Sequence, residues 1–194
     1  DLDGTLLRSD LLYESLLLLL RKNALYIFLI PFWLFLGKAR MKQEIAMRVD
    51  LDVDVLPYES RLLEKFAGAT PVYRVLCSAS DESIVRRVSE RLGLFQEVLA
   101  SDGATNLGGA AKARALVERF GDRGFVYGGN ARADIEVWRR SKGAWVVNAS
   151  EALVRRAGRV TSVIAYLPAM GGGFSDWLKA VRLHQWLKNL LVFL

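Results

Sequence analysis

The chain has 194 residues, 52% of them hydrophobic, and carries 27 Lys and Arg against 21 Asp and Glu, a net charge of +6. That length holds one domain with a real core plus an insert or a short extension, and the positive mean hydropathy points towards a membrane-adjacent protein. The basic residues are scattered, with no concentrated basic face or reader motif, which argues against nucleic acid and for anionic lipid or a phosphorylated substrate.

The first element is Asp1-Leu2-Asp3-Gly4-Thr5-Leu6-Leu7. Two carboxylates two residues apart, followed at once by Gly-Thr, suit the end of a buried parallel strand turning into a loop. Residues two apart share a strand face, and a chain that turns after the first can aim both carboxylates into one pocket. There Asp1 can attack a phosphorus while Asp3 handles the leaving-group proton. Gly4 permits the tight turn that close phosphate approach needs, and Thr5 adds a hydroxyl.

Leu11 to Leu20 is Leu-rich, and Arg21-Lys22-Asn23 break the run. Ala24 to Leu36 is uninterrupted apolar sequence, closed by Gly37-Lys38-Ala39-Arg40. Its 13 residues fall short of the roughly 20 that a spanning helix needs, and Pro31 would kink a helix. The segment reads either as helices packed on each other or as a hairpin dipping into a bilayer surface, with Tyr26 and Trp33 at headgroup level. Met41 to Arg48 and Tyr58 to Phe66 read as amphipathic helices. Asp50, Asp52 and Asp54 alternate with apolar residues and read as a solvated loop rather than a metal cluster.

From Val72 the texture becomes alternating strand and helix. Val72 to Cys77 reads as a strand ending in Ser78-Ala79-Ser80, with Asp81 to Leu92 a helix capped by Ser80 or Asp81. Cys77, the single cysteine, excludes an internal disulfide and a cysteine-based zinc site and reads as a buried core thiol. Phe95 to Ala100 follows as a strand, Ala110 to Phe120 as a helix, Phe125 to Tyr127 as a strand ending at Gly128-Gly129-Asn130, and Asp134 to Ser141 as a helix. Ala144 to Val147 is the last expected strand. This alternation predicts an α/β protein with a doubly wound parallel sheet, whose ligands bind beyond the carboxyl ends of the strands. Ser78 at a strand end and Lys112 at a helix start are therefore candidate phosphate binders, although a simple cap and a solvated lysine also suit those positions.

Asp1-Leu2-Asp3-Gly4-Thr5 resembles the DxDGT motif of the haloacid dehalogenase-like (HAD) superfamily. The resemblance implies a HAD-like Rossmannoid domain over residues 1–148, with a helical cap at about residues 10–70. It implies Asp1 as phosphoryl-accepting nucleophile and Asp3 as acid and then base, with Thr5, Ser78 and Lys112 binding phosphate. It also implies an Mg2+ site made by Asp1, Asp3, Asn130 and Asp134. Asp3 favours a phosphatase over the superfamily's ion pumps, which carry Thr there. Gly129-Asn130-Ala131-Arg132-Ala133-Asp134 departs from the usual Gly-Asp-x-x-x-Asp, since an amide stands where the first acid is expected. An amide oxygen still suits Mg2+, with one negative charge fewer. The superfamily places its nucleophile at the end of a hydrophobic strand, so the chain reads as a piece of a longer protein whose first strand lies upstream of Asp1.

Phe174 to Leu194, with His184-Gln185-Trp186-Leu187-Lys188-Asn189 at its centre, resembles the start of a UbiA-type prenyltransferase of the decaprenyl-phosphate phosphoribosyltransferase-like kind. On that resemblance residues 149–173 connect the two parts, and His184 is an interfacial or loop residue. The joint expectation is an Mg2+-dependent phosphomonoester hydrolase acting on a phosphorylated small molecule or a polyprenyl-linked phosphosugar. It would be held at the cytoplasmic side of a membrane by the C-terminal segment, and also by the cap if that segment inserts. The alternative is a non-catalytic HAD-like module that regulates the prenyltransferase.

Overall fold

Short β-branched and apolar runs, each closed by a small or capping residue, set the architecture. The structure is a computed structural model that describes residues 1–68 and 72–170. After the Asp1–Leu7 segment come α1 (Leu11–Lys22), a 3-10 turn (Ala24–Phe28), α2 (Ile30–Phe35), α3 (Lys38–Ala46) and α4 (Ser60–Ala67). Then strands and helices alternate: β1 (Val75–Asp81), α5 (Glu82–Leu92), β2 (Glu97–Ser101), α6 (Gly109–Phe120), β3 (Val126–Gly129), α7 (Ile135–Arg140), β4 (Gly143–Ala149), α8 (Glu151–Ala157) and β5 (Val163–Pro168). The molecule is α/β, with parallel strands in two small sheets, β1-β2 and β3-β4-β5.

The Asp1–Leu7 segment lies between those sheets. The Asp1 backbone nitrogen donates to Gly128 O of β3 at 2.8 Å, and the Asp3 side chain reaches Ser78 and Ser80 of β1. The segment makes a wide turn closed by Leu7 N donating to Leu2 O at 2.9 Å. Gly4 stands at φ 69°, a left-handed conformation that costs glycine little and other residues more. Leu2, Leu6 and Leu7 are fully buried in a core shared with Leu76, Val85, Val88 and Val147. Burying such side chains is worth about 1.5–3 kcal/mol each, so the apolar members of this turn anchor the polar ones.

Helices α1 to α3 carry their own small core of Leu19, Trp33 and Ile45, with the Arg48 guanidinium 4.9 Å over the Trp33 ring, while α4 packs on the main core through Leu62. The two ends of this helical insert are fastened to each other. Arg8 N donates to Pro57 O at 2.8 Å and Glu59 N to Leu6 O at 2.9 Å, around an antiparallel bridge of Leu7 and Tyr58. Asp50 and Asp54 pair with Arg87 and Arg91 of α5, and Asp52 caps the 3-10 turn Val53–Val55. These acids are spread along a surface loop, as their alternation with apolar residues suggested.

Two boundaries differ from the sequence reading. β1 starts at Val75 and runs through Ser78 to Asp81, with an irregular register between Cys77 and Asp81, where the hydroxyls of Ser78 and Ser80 are drawn to Asp3. Residues 149–173 are expected as a connection, yet residues 151–168 add α8 and β5, with β5 parallel to β4. The alternating burial of β5 marks a strand half open to solvent, although Val163 to Leu167 is an unbroken apolar run. Residues 174–194, including His184, lie outside the described residues.

Candidate functional site

One cavity of about 1120 Å3 opens beside the Asp1–Leu7 turn, beyond the carboxyl ends of β1 and β3. It brings Asp1, Asp3, Lys112, Asn130 and Asp134 to one wall, together with Ser80. Thr5 and Ser78 are fully buried behind that wall. The Thr5 hydroxyl faces Asn130 Oδ1 at 3.4 Å, at the limit of a hydrogen bond.

Lys112 stands in the first turn of α6, where Gly108 replaces a capping side chain. Its buried ammonium donates to Asp1 Oδ1 at 2.8 Å and to Tyr127 Oη at 2.9 Å. Tyr127 Oη donates in turn to Asp134 Oδ1 at 3.1 Å. Burial, and next the Asp134 carboxylate, push the Tyr127 phenol well above its ordinary value, so it stays a neutral link between cation and carboxylate. Asp134 Oδ2 accepts from the backbone N–H groups of Asn130 and Ala131, both at 2.9 Å. Asp134 thus fixes the loop that carries Asn130 through Oδ2 and joins the Lys112–Tyr127 chain through Oδ1. A Cβ on Gly4 would come within 1.9 Å of Asn130 Nδ2, so the glycine also makes room for that amide.

Asp3 is held from three sides. Oδ1 accepts from Leu11 N at 2.8 Å, at the start of α1. Oδ2 accepts from Ser78 Oγ at 3.1 Å and from Ser80 Oγ at 2.7 Å. Ser78 Oγ also accepts from Ser80 N at 3.0 Å, so the two hydroxyls form one support for the carboxylate. Asp10 caps α1 by accepting from Leu12 N at 2.8 Å. Burial, and then the nearby Asp3 charge, raise its carboxyl above the ordinary value.

The helical insert adds a cation that sequence reasoning missed. Lys42 of α3 reaches across to donate to Ala79 O at 2.6 Å and to Asn106 Oδ1 at 3.0 Å. Burial lowers its affinity for a proton, opposed by Asp3 and Asp10. Nothing local marks Lys42, which sits among other charges in an amphipathic helix. Ser80 carries a signal, since it lies two residues after Ser78 and so shares its strand face. Tyr127 carries a weaker one, as a polar tip ending an apolar strand.

The oxygen donors on this wall are of the hard type that Mg2+ takes. Among the described residues, no group of three or more His, Cys, Asp or Glu side chains is gathered closely enough to hold a metal. Of the four residues expected as ligands, Asp3 and Asp134 have both oxygens accepting from protein donors. Asp1 accepts through Oδ1 from Lys112 and from Leu2 N.

The chain is similar to an uncharacterized protein, y4nM, of Sinorhizobium fredii (strain NBRC 101917 / NGR234), at 34% identity over 199 residues. The similarity covers 100% of this chain, which spans 38% of the relative's length. No family model matches the chain, and no solved structure matches it.

Proposed function

We propose that the cavity is the active site of a HAD-like phosphomonoester hydrolase acting through an aspartyl phosphate on Asp1. The observation that carries this reading is the 2.8 Å pair of the buried Lys112 and the part-buried Asp1 on one wall with Asp3. On this reading the two small sheets are halves of one doubly wound sheet that meet at the Asp1–Leu7 segment, and the insert is the cap.

The reaction follows from the donors and acceptors present. An Asp1 carboxylate oxygen attacks phosphorus, and the bond from phosphorus to the ester oxygen breaks. Protonated Asp3 gives its proton to the departing alkoxide, and the alcohol leaves. The Asp3 carboxylate then takes a proton from water as that water attacks the phosphoryl phosphorus. The bond from phosphorus to the Asp1 oxygen breaks, inorganic phosphate departs and the Asp1 carboxylate is regenerated. Ser78 and Ser80 orient Asp3 for both steps, and a hydroxyl can turn from donor to acceptor as Asp3 changes protonation. Lys112 offsets the charge that gathers on the transferring group, and Ser80, on the cavity wall, meets a phosphoryl oxygen. Asp1 and Asn130 would hold Mg2+, whose charge further stabilises the phosphoryl group. The UbiA-like resemblance of residues 174–194 supports a lipid-linked phosphosugar as substrate and the cytoplasmic side of a membrane as the site of action.

A second reading, a non-catalytic module of an adjoining prenyltransferase, is favoured by Asn130 in the place of an acid and by the engaged oxygens of Asp3 and Asp134. Assay of the protein with Mg2+ on an aryl phosphate separates the two. Turnover that Asp1→Asn abolishes supports the hydrolase. Absence of turnover, or turnover retained by that variant, overturns the aspartyl-phosphate mechanism.

A further inference from the structure

The tip of the helical insert pairs an apolar face with a cationic rim. The 3-10 turn and α2 bury Trp33 against Leu19 and Ile45, and they turn Leu25, Phe28, Leu29, Phe32, Phe35 and Leu36 outward. Phe35 is 88% exposed and Phe28 75%, well above what a lid closing on its own core would leave. Arg21, Lys22 and Lys38 flank this face and are exposed. No acidic residue occurs between Glu14 and Glu44. Two copies of so cationic a tip would repel each other, whereas an anionic surface satisfies rim and face together. Among the described residues no helix is long and apolar enough to cross a membrane, so contact would be shallow.

The tip is joined to the site by α1. Leu11 N is bound to Asp3, and Leu12, Leu16 and Leu20, one helical row, line the same cavity as Asp1 and Lys112. At 1.5 Å per residue that row is about 12 Å long, and it ends beside Arg21 at the cationic rim.

We infer that residues 25–36 dock into the headgroup region of an anionic bilayer and hold the leucine-walled end of the site cavity against it. Arg21, Lys22 and Lys38 meet the lipid headgroup anions, and the outward aromatic and aliphatic side chains enter the acyl boundary. The cavity then opens towards lipid at one end and towards the carboxylates at the other.

The test places an environment-sensitive dye on Phe35→Cys in the full chain. The native Cys77 is buried and leaves the new thiol as the reactive one. Vesicles of phosphatidylcholine, with and without phosphatidylglycerol, are the probe. A blue shift with the anionic vesicles is expected, weakened at least about 10-fold by high salt and by Arg21→Glu with Lys38→Glu. The same label on Phe28→Cys gives a second site should the first variant misfold. Chain that sediments with vesicles while both dyes stay unmoved would show that another segment binds lipid and overturns the inference. So does a shift that grows with protein concentration without vesicles, the mark of a second copy. An unmoved dye and no sedimentation overturn it equally.

Discussion

The Ser80 hydroxyl lies 2.7 Å from Asp3 Oδ2, closer than the 3.1 Å of the Ser78 hydroxyl that shares the same oxygen. Ser80 also lines the cavity, whereas Ser78 is sealed beneath it. Ser80→Ala is therefore expected to raise KM for a phosphomonoester severalfold and to lower kcat. Ser78→Ala is expected to act mainly on stability, by about 1.5–3 kcal/mol for a hydrogen bond to a charged group. Steady-state kinetics beside urea unfolding of both variants check the division. Equal KM for the two variants would remove Ser80 from the phosphate site.

Lys112 and Asp1 are expected to couple strongly. Lys112→Met leaves a buried carboxylate without its cation, a change that costs about 3–5 kcal/mol in other buried pairs, and it should lower turnover about 100-fold or more. Adding Asp1→Asn should restore much of the stability and none of the activity. A double-mutant cycle by chemical denaturation measures the coupling, and additive losses would mean that the pair contributes little.

Acid should weaken the attachment of the Asp1–Leu7 turn. Arg61 holds the Glu59 carboxyl down from an ordinary 4.5 to about 2. The same guanidinium reaches Asn148 Oδ1 at 2.9 Å, and Asn148 Nδ2 donates to Gly4 O at 3.3 Å. Because the folded value is depressed, this stability is complete above about pH 4.5 and is lost as pH falls towards 2. Glu59→Gln should flatten unfolding free energy across that window. An unchanged slope would assign the acid sensitivity to other carboxylates.

Gly4→Ala combines a left-handed φ of 69° with a Cβ placed 1.9 Å from Asn130 Nδ2. It is expected to cost about 1–2 kcal/mol and to push the amide aside, weakening the response to Mg2+. Thermal unfolding and an activity titration with the metal report the two effects separately.

On the proposed reading, Asn130→Asp places an acid at this position and should lower the Mg2+ concentration for half-maximal activity. An unchanged titration would remove Asn130 as a ligand and leave the metal to Asp1.

The parts of this site that were legible in the sequence are those whose chemistry is local. Asp1, Asp3 and Gly4 declare a turn with two carboxylates, and Lys112 and Asp134 follow small-residue loops at helix starts. The supports were not legible, because tertiary packing supplies them. Lys42 reaches Ala79 across 37 residues of chain, and Tyr127 matters only because Lys112 and Asp134 arrive on either side of it. Asp10 caps α1 and has its carboxyl raised by burial and then by Asp3, which no local pattern marks. β5 is itself an unbroken apolar run, Val163 to Leu167, and it escaped because it lies past residue 148, where the resemblance ends the domain.

The clamp formed by Arg8 with Pro57 and by Leu6 with Glu59 gives the insert the character of an exchangeable attachment. Its two ends leave and rejoin the core side by side. The closing bonds fall outside the insert's own helices, so residues beyond α1 can lengthen, shorten or be replaced without altering the register of the Asp1–Leu7 turn. A graft of another helical head onto this base, joined at Arg8 and Pro57, would inherit Ser78, Ser80 and Lys112 around the two carboxylates, and would have to supply anew the N–H that Leu11 gives Asp3, Lys42 and the leucine row of α1.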